Sequence, residues 1–360
     1  MPETPWTKPV LKKAQTDLLA WYKGNLRDLP WRNTHDPYAI WVSEIMLQQT
    51  RVAAVLAHYQ AFLLRFPTVI ALAIATEQQV LAAWSGLGYY RRARMLHKAA
   101  QFLVAELGGQ LPSSSQDLKK LPGIGEYTCA AIASIAYGEP CAVVDGNVER
   151  VVMRLAGLGH DDAAQVGTNR SKVRHLAQAL LDQKQPGHWN QAMMELGATI
   201  CLPHKPICIA CPLQTICQTK GEHVVLPAPA MISKQVAYAL VERGFGRARI
   251  VQLEQRPESE TVMPGLWELP QLMDTEVPDS ELRLTVRHSI MQTNYYVRIR
   301  TLSEEQVPSL KKHNWKQRWI KSRDLDAMAL TGLARKVLMR EGIITKIRPS
   351  LTPDTDEVGL

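Results

Sequence analysis

Two carboxyl groups and one run of thiols are the residues of this 360-residue chain whose types and spacing suggest chemistry. Glu44 is the lone acid of WVSEIMLQQTRV, with Trp41, Ile45 and Met46 about it. Two readings are open: a solvent-facing helix position, or a carboxyl held in an apolar pocket that raises its proton affinity. The second is what a general acid requires. At an ordinary pKa of about 4.3 only ~0.2% of the group holds a proton near neutrality, whereas a pKa of about 6.5 leaves roughly a quarter protonated. Asp145 follows the apolar Ala142-Val143-Val144 and precedes GNVERVVMRL. It reads as a helix N-cap, with the helix dipole favouring its ionised form. Ahead of it, Pro122, Gly123 and Gly125 of LPGIG make a tight bend that bares backbone N–H groups at a helix start. That bend is either a seat for a phosphate or an ordinary corner between helices.

Four of the six cysteines, Cys201, Cys208, Cys211 and Cys217, fall within CLPHKPICIACPLQTIC. The other two, Cys129 and Cys141, read as small core residues. No apolar run is long enough to span a membrane, and MPETPWTKPVLKK lacks the apolar core of a secretory leader, so the expectation is a soluble, intracellular chain. Such a chain would not keep two disulfides in so short a stretch, and a metal centre is the better account. Structural zinc more often uses two Cys-x2-Cys pairs; here there is one, and four thiolates also hold [4Fe-4S] clusters.

The elements that must position these groups are mostly helical up to residue 217. Spacing predicts helices over 8–28, from Asp36-Pro37 through Met46, over 51–65, over 68–84, from the GLGYYRR turn (86–92) to Leu107, and over 147–157 and 170–183. Gly108-Gly109 closes one of them, and Ser113 to Ser115 offer caps for a short helix before LPGIG. Beyond a Pro-containing linker at 221–233 the texture changes. QVAYALVERGFGRARIVQLEQRP alternates like a strand pair, as do LRLTVRHSI and NYYVRIRTL, and a helix is expected at 331–341, so a second, α+β domain spans 234–346 before a tail at 347–360. The formal net charge of +8, with Lys and Arg in excess both before and after residue 222, suits a polyanionic partner.

LPG-x-G-x-Y-T followed by VVDGNV, together with WVSEIMLQQTRV and the 6-2-5 cysteine spacing, resembles the helix–hairpin–helix DNA glycosylases, and within them the adenine DNA glycosylases of the MutY type. The resemblance implies a mainly α glycosylase domain over 1–220. Its six-helix part would lie at about 30–135, and its iron–sulfur part at about 8–29 and 136–220. It implies catalytic roles for Glu44 and Asp145, with Tyr127 and Asn147 as hydrogen-bonding groups, and a [4Fe-4S] cluster on the four cysteines. Gln49 and Thr50 of LQQT, Leu87 and Tyr89 of GLGYYRR, and Gly123 and Gly125 would meet DNA, with Tyr89 as the wedge that fills the stack when a base is extruded; a core tyrosine is the rival reading. Related glycosylase/lyases of the endonuclease III type carry a nucleophilic lysine where this chain has Tyr127, which implies a monofunctional hydrolase using water.

MPGLWELP (263–270) resembles the Nudix-like C-terminal domain of the same family. The acids of a working Nudix box are missing, since Gln271 and Asp279-Ser280 stand at their places, so the domain is expected to read the base opposite adenine, 8-oxoguanine or guanine, through His288 and Ser289. The expected partner is therefore double-stranded DNA carrying that mispair, bound by a cytoplasmic, nucleoid-associated monomer. A bifunctional lyase, or a helix–hairpin–helix protein that binds DNA without catalysis, are the alternatives.

Overall fold

Several helices begin where the sequence supplies a capping side chain. In this computed structural model, which describes residues 4–159, 166–222 and 230–345, the chain starts with α1 (Lys8–Asn25) and α2 (Pro37–Leu47). Asp36 caps α2 by accepting from the Tyr38 N–H, and Pro37 opens the first turn, as the sequence suggests. Every residue from Tyr38 to Met46 is buried, so α2 is not amphipathic but enclosed on all sides. That enclosure decides between the two readings of Glu44, because no face of the helix is left for solvent.

Next come α3 (Val52–Arg65), α4 (Val69–Ile74), α5 (Glu77–Trp84), α6 (Arg91–Leu107), α7 (Ser115–Leu118), α8 (Glu126–Tyr137), α9 (Gly146–Leu155), α10 (Val166–Leu180) and α11 (Pro186–Thr199). The single helix expected over 68–84 is two, because Thr76 and Gln79 form a reciprocal capping box that starts α5 afresh. The strands are β1 (Ile232–Leu240), β2 (Glu242–Arg243), β3 (Ile250–Gln255), β4 (Trp267–Glu268), β5 (Leu282–Ile290), β6 (Thr293–Thr301) and β7 (Lys316–Lys321), with α12 (Val307–Leu310) and α13 (Gly332–Arg340) among them. Most of the expected linker at 221–233 and all of the tail at 347–360 lie outside the described residues.

The chain divides into two units, Met1–Gln48 with Phe102–Pro227, and Gln49–Gln101 with Ala228–Leu360. In the first, α11 is the central post: α1, α8 and α9 all pack on it, and α2 packs on α8. Trp189, Ala192, Met193 and Leu196 of α11 sit in one core with Leu18 and Tyr22 of α1 and Val148, Val151 and Val152 of α9. In the second, β1-β6-β5 form one sheet, with β1 parallel to β6 and β5 antiparallel to it. The other sheet is β2-β3-β4 with β7 on β3. The strand pair expected within 235–257 is therefore not one: β1 joins β6, sixty residues on, and only the two-residue β2 turns back onto β3. Alternation identified the strands but carries no information about their partners. In the same unit α5 and α6 are bonded to the β3–β4 turn, Gln78 Nε2 to Gly265 O at 3.3 Å and Arg94 Nη2 to Pro264 O at 2.7 Å.

Candidate active site

Glu44 lies midway along the enclosed α2 and is 4% exposed. The Tyr127 hydroxyl, from the first turn of α8, donates to its Oε2 at 2.5 Å and also lies 3.6 Å from the Met194 sulfur on α11. Its Oε1 takes no hydrogen bond among the described residues. Burial pushes the carboxyl up to about 7; the Tyr127 bond and the more distant Arg32 charge oppose this, while the neighbouring Asp145 adds to it. Tyr127 in turn is held far above its ordinary value by burial and by the two carboxylates, so it keeps its proton and stays a donor. The end of α2 is tied to α8 as well, through Gln48 Nε2 to Thr128 Oγ1 at 3.1 Å.

Asp145 is the N-cap of α9, its Oδ1 accepting from the Val148 N–H at 2.7 Å. Its carboxyl is nevertheless raised, not lowered. Burial outweighs the Val148 and Asn147 backbone bonds, the Asn147 amide and the Arg150 charge, which corrects the expectation drawn from the helix dipole alone. What separates the two acids is how many donors face the anion. Asp145 has the cap bond and the Asn147 Nδ2 at 3.3 Å on its other oxygen, whereas Glu44 has one phenol. Asn147 is set from behind: its Oδ1 accepts from Arg150 Nη2 at 3.0 Å, and Arg150 also donates to Gly197 O at 2.8 Å and Cys201 O at 2.9 Å. The contact of α9 with α11 needs a glycine at 197, since a Cβ there would stand 2.7 Å from that of Asn147.

Sequence reading missed α11 and the groups it brings. Glu195 is fully buried and held by Arg27, through Nε at 2.6 Å and Nη2 at 2.8 Å, and by Arg32 at 2.5 Å. These guanidiniums keep its carboxyl low despite burial. Arg32 is thus anchored by one acid while its charge reaches another, Glu44. The usable signal was Pro186 at a first helical turn with an apolar run after it, diluted by Asn190, Gln191 and Glu195.

Cys201, Cys208, Cys211 and Cys217 line one pocket together with Val151, Arg154 and Leu196. All four are free thiols, and no group of three or more His, Cys, Asp or Glu among the described residues closes to ligating distances. The surroundings fit an anionic centre: Arg154, buried, donates from Nη1 to the Cys201 sulfur at 3.3 Å, and the Lys220 N–H to that of Cys217 at 3.5 Å. Burial and the neighbouring thiols push Cys211 up to about 11, so its sulfur stays protonated unless a cation draws it into ionised form. His204 and Lys205 are exposed on the same segment beside Glu222. Cys129 is buried, as expected, and Cys141 half-buried.

Gly123 is exposed with φ +75°, and Gly125 starts α8 with no side chain capping its first-turn N–H groups. In the second unit the turn before α6 is built on Arg92, whose Nη2 donates to Thr50 Oγ1 at 3.0 Å, Gly88 O at 3.1 Å and Leu87 O at 3.2 Å, with its guanidinium over the Tyr89 and Trp84 rings. Tyr89 is 50% exposed at φ +46°, whereas Leu87 is 5% exposed. Gln49 also sits at positive φ, +54°. His288 and Ser289 are neighbours on β5 and so point to opposite faces of the sheet. His288 faces α13 at Gly332, and Ser289 Oγ donates to Asn294 on β6 at 2.6 Å.

Residues 42–179 match the family described as HhH-GPD superfamily base excision DNA repair protein. The chain is 45% identical to an adenine DNA glycosylase of Homo sapiens over 212 residues, 56% of this chain and 38% of that protein. It is 36% identical over 315 residues to one of Arabidopsis thaliana, 76% of this chain and 49% of that protein. It thus spans less than half the length of either relative. Among solved structures, a thermostable thymine-DNA glycosylase superposes with a TM-score of 0.53 at 29% identity, over 58% of this chain and 97% of that one.

Proposed function

We propose that this chain, whose residues 42–179 belong to the HhH-GPD superfamily of base excision DNA repair proteins and which is similar to adenine DNA glycosylases of the MutY type, hydrolyses the N-glycosidic bond of adenine in double-stranded DNA where adenine stands opposite 8-oxoguanine or guanine. The observation that carries this reading is the pairing of a buried carboxyl, Glu44, with the half-buried carboxyl of Asp145 around Tyr127, the first raised to about 7 with an unbonded oxygen.

Loss of adenine needs a proton on a purine ring nitrogen, so that the base leaves neutral, and an anion near the oxocarbenium-like sugar left behind. Glu44, protonated in a useful fraction at neutrality, gives its proton to the base as the bond from nitrogen to C1′ breaks with its electron pair going to the base. Asp145, more heavily bonded as an anion, faces the developing cation. Glu44, now a carboxylate, takes a proton from the water that adds at C1′, which restores the acid and leaves an abasic sugar. Tyr127 orients Glu44 and, keeping its own proton, offers no amine to attack the sugar, which supports hydrolysis over lyase chemistry. Gly123 and Gly125 as a phosphate seat, Gln49, Thr50, Leu87 and Tyr89 at the extruded base, and His288 and Ser289 as readers of the opposite base belong to the same proposal. So does a Nudix-like fold for residues 234–346.

The four cysteines suit a [4Fe-4S] cluster, in keeping with an endonuclease III-like cofactor class; when bound it would clamp the Cys201–Cys217 segment, and Arg150 and Arg154 join that segment to α9. Single-turnover excision on duplexes with adenine opposite each normal base and opposite 8-oxoguanine tests the reading. Release is expected opposite 8-oxoguanine and guanine, with no borohydride-trapped adduct; release from none of these duplexes, or efficient trapping, overturns it.

A further inference from the structure

Helix α13 is bonded on two sides at once. On one, Lys336 Nζ donates to Arg287 O at 2.7 Å and Arg340 Nη1 to Thr285 O at 3.1 Å, both carbonyls of β5. The His288 ring also lies against Gly332, where a Cβ would come within 3.3 Å of it. On the other, the Leu330 carbonyl, just before the helix, accepts from Ser85 Oγ at 3.0 Å and from the Tyr90 hydroxyl at 2.8 Å, and Arg335 Nε donates to Ser85 Oγ at 2.8 Å. Ser85, Tyr90 and Arg335 are all buried. Thr331, the cap of α13, locks the corner by accepting from the Ala334 N–H and donating to Glu268 Oε2 at 2.7 Å.

Ser85 and Tyr90 bracket Gly86–Tyr89, a segment with left-handed backbone at Gly86, Gly88 and Tyr89. An L-residue such as Tyr89 stays in that region only when its surroundings over-determine it. Apolar packing alone would let the segment slide. Directed bonds at both of its ends, made to the Leu330 carbonyl and the Arg335 guanidinium, fix it to α13.

We propose that α13 is a strut that couples β5 to the Gly86–Tyr89 loop, and that Ser85, Tyr90 and Arg335 are positioning residues that set the ring of Tyr89. What the ring then does, entry into a duplex beside an extruded base, rests on the function proposed above. The consequence is that a displacement of β5 on contact with the base it reads would be felt at the loop through Gly332, Lys336 and Arg335, with no residue of the strut touching DNA.

The test uses the full chain without DNA. Hydrogen exchange of amides 85–90 is compared in wild type, Tyr90→Phe, Arg335→Met and Lys336→Met. Tyr90→Phe leaves the Leu330 carbonyl with its Ser85 donor, so no buried acceptor is orphaned, and Lys336 lies on the face of α13 away from the loop. Exchange in 85–90 is expected to rise about fivefold or more in the first two variants and about twofold in Lys336→Met, against an unchanged rate in α3. Wild-type exchange in the loop, or a rise shared equally by α3, overturns the strut. In single-turnover excision Tyr90→Phe should slow the wild type about tenfold yet add nothing to Tyr89→Ala, as expected of residues acting as one unit; additive effects overturn the positioning role. A wild-type chain that excises no adenine refutes the function above, while the exchange rates still judge the strut.

Discussion

Two buried glutamates in different regions, Glu44 on α2 and Glu268 on β4, are both raised to about 7 by burial. Glu268 has both oxygens bonded, to the Leu269 N–H at 3.0 Å and the Thr331 hydroxyl at 2.7 Å, both part of the fold. Glu44 has one oxygen on Tyr127 and the other unbonded, with a second carboxylate near. A high proton affinity therefore marks an acid out of water, and only an open oxygen with a complementary anion marks one that can act on something else.

The largest test of that difference is the pair Glu44→Gln and Glu268→Gln. Loss of a general acid is expected to slow adenine excision by about 10³-fold or more in the first, while the second stays within about threefold of wild type. Equal losses would erase the distinction. Next comes Gly197→Ala, whose methyl must displace Asn147. Misplacing groups around Asp145 in a folded protein should cost about 10²-fold in single-turnover rate with DNA affinity kept, and a wild-type rate would show that Asn147 does not matter. Tyr127→Phe removes the bond that holds Glu44 down, so the alkaline limb of the pH–rate profile, expected near about 7, should move upward as the rate falls about tenfold. A limb that stays put would mean that another group sets it.

The smallest effect is on stability. Both acids bind protons more tightly folded than unfolded, so the native state holds the extra protons and stability falls as pH rises from the ordinary carboxylate range through about 7. Each group contributes a fall of up to about 3 kcal/mol, complete above its folded value. Urea unfolding at stepped pH should show this slope, flattened in Glu268→Gln; an unchanged slope in that variant would remove Glu268 from the comparison.

Much of the site was legible because it is local. Asp36-Pro37 fixes where α2 begins, the lone acid in an apolar helix draws attention to Glu44, and Asp145 three residues before the Val148 N–H is a cap by its spacing. What was not legible depends on residues far apart in the chain. Glu195 is meaningful only with Arg27 and Arg32, more than 160 residues earlier. The pairing of β1 with β6 follows from no pattern within either strand. The sign of the Asp145 shift was misread for the same reason: the dipole is a property of α9, but the burial that outweighs it comes from the elements around α9.

Arg150 divides its donors between Asn147 and the carbonyl of Cys201. The acid–base pocket therefore takes part of its support from the cysteine-bearing segment, and a shift of that segment would reach Asn147 through a single guanidinium. On the cluster proposed above, protein made under iron starvation would lose that support at Asn147 first, and the mass of purified protein would then overstate the number of working molecules.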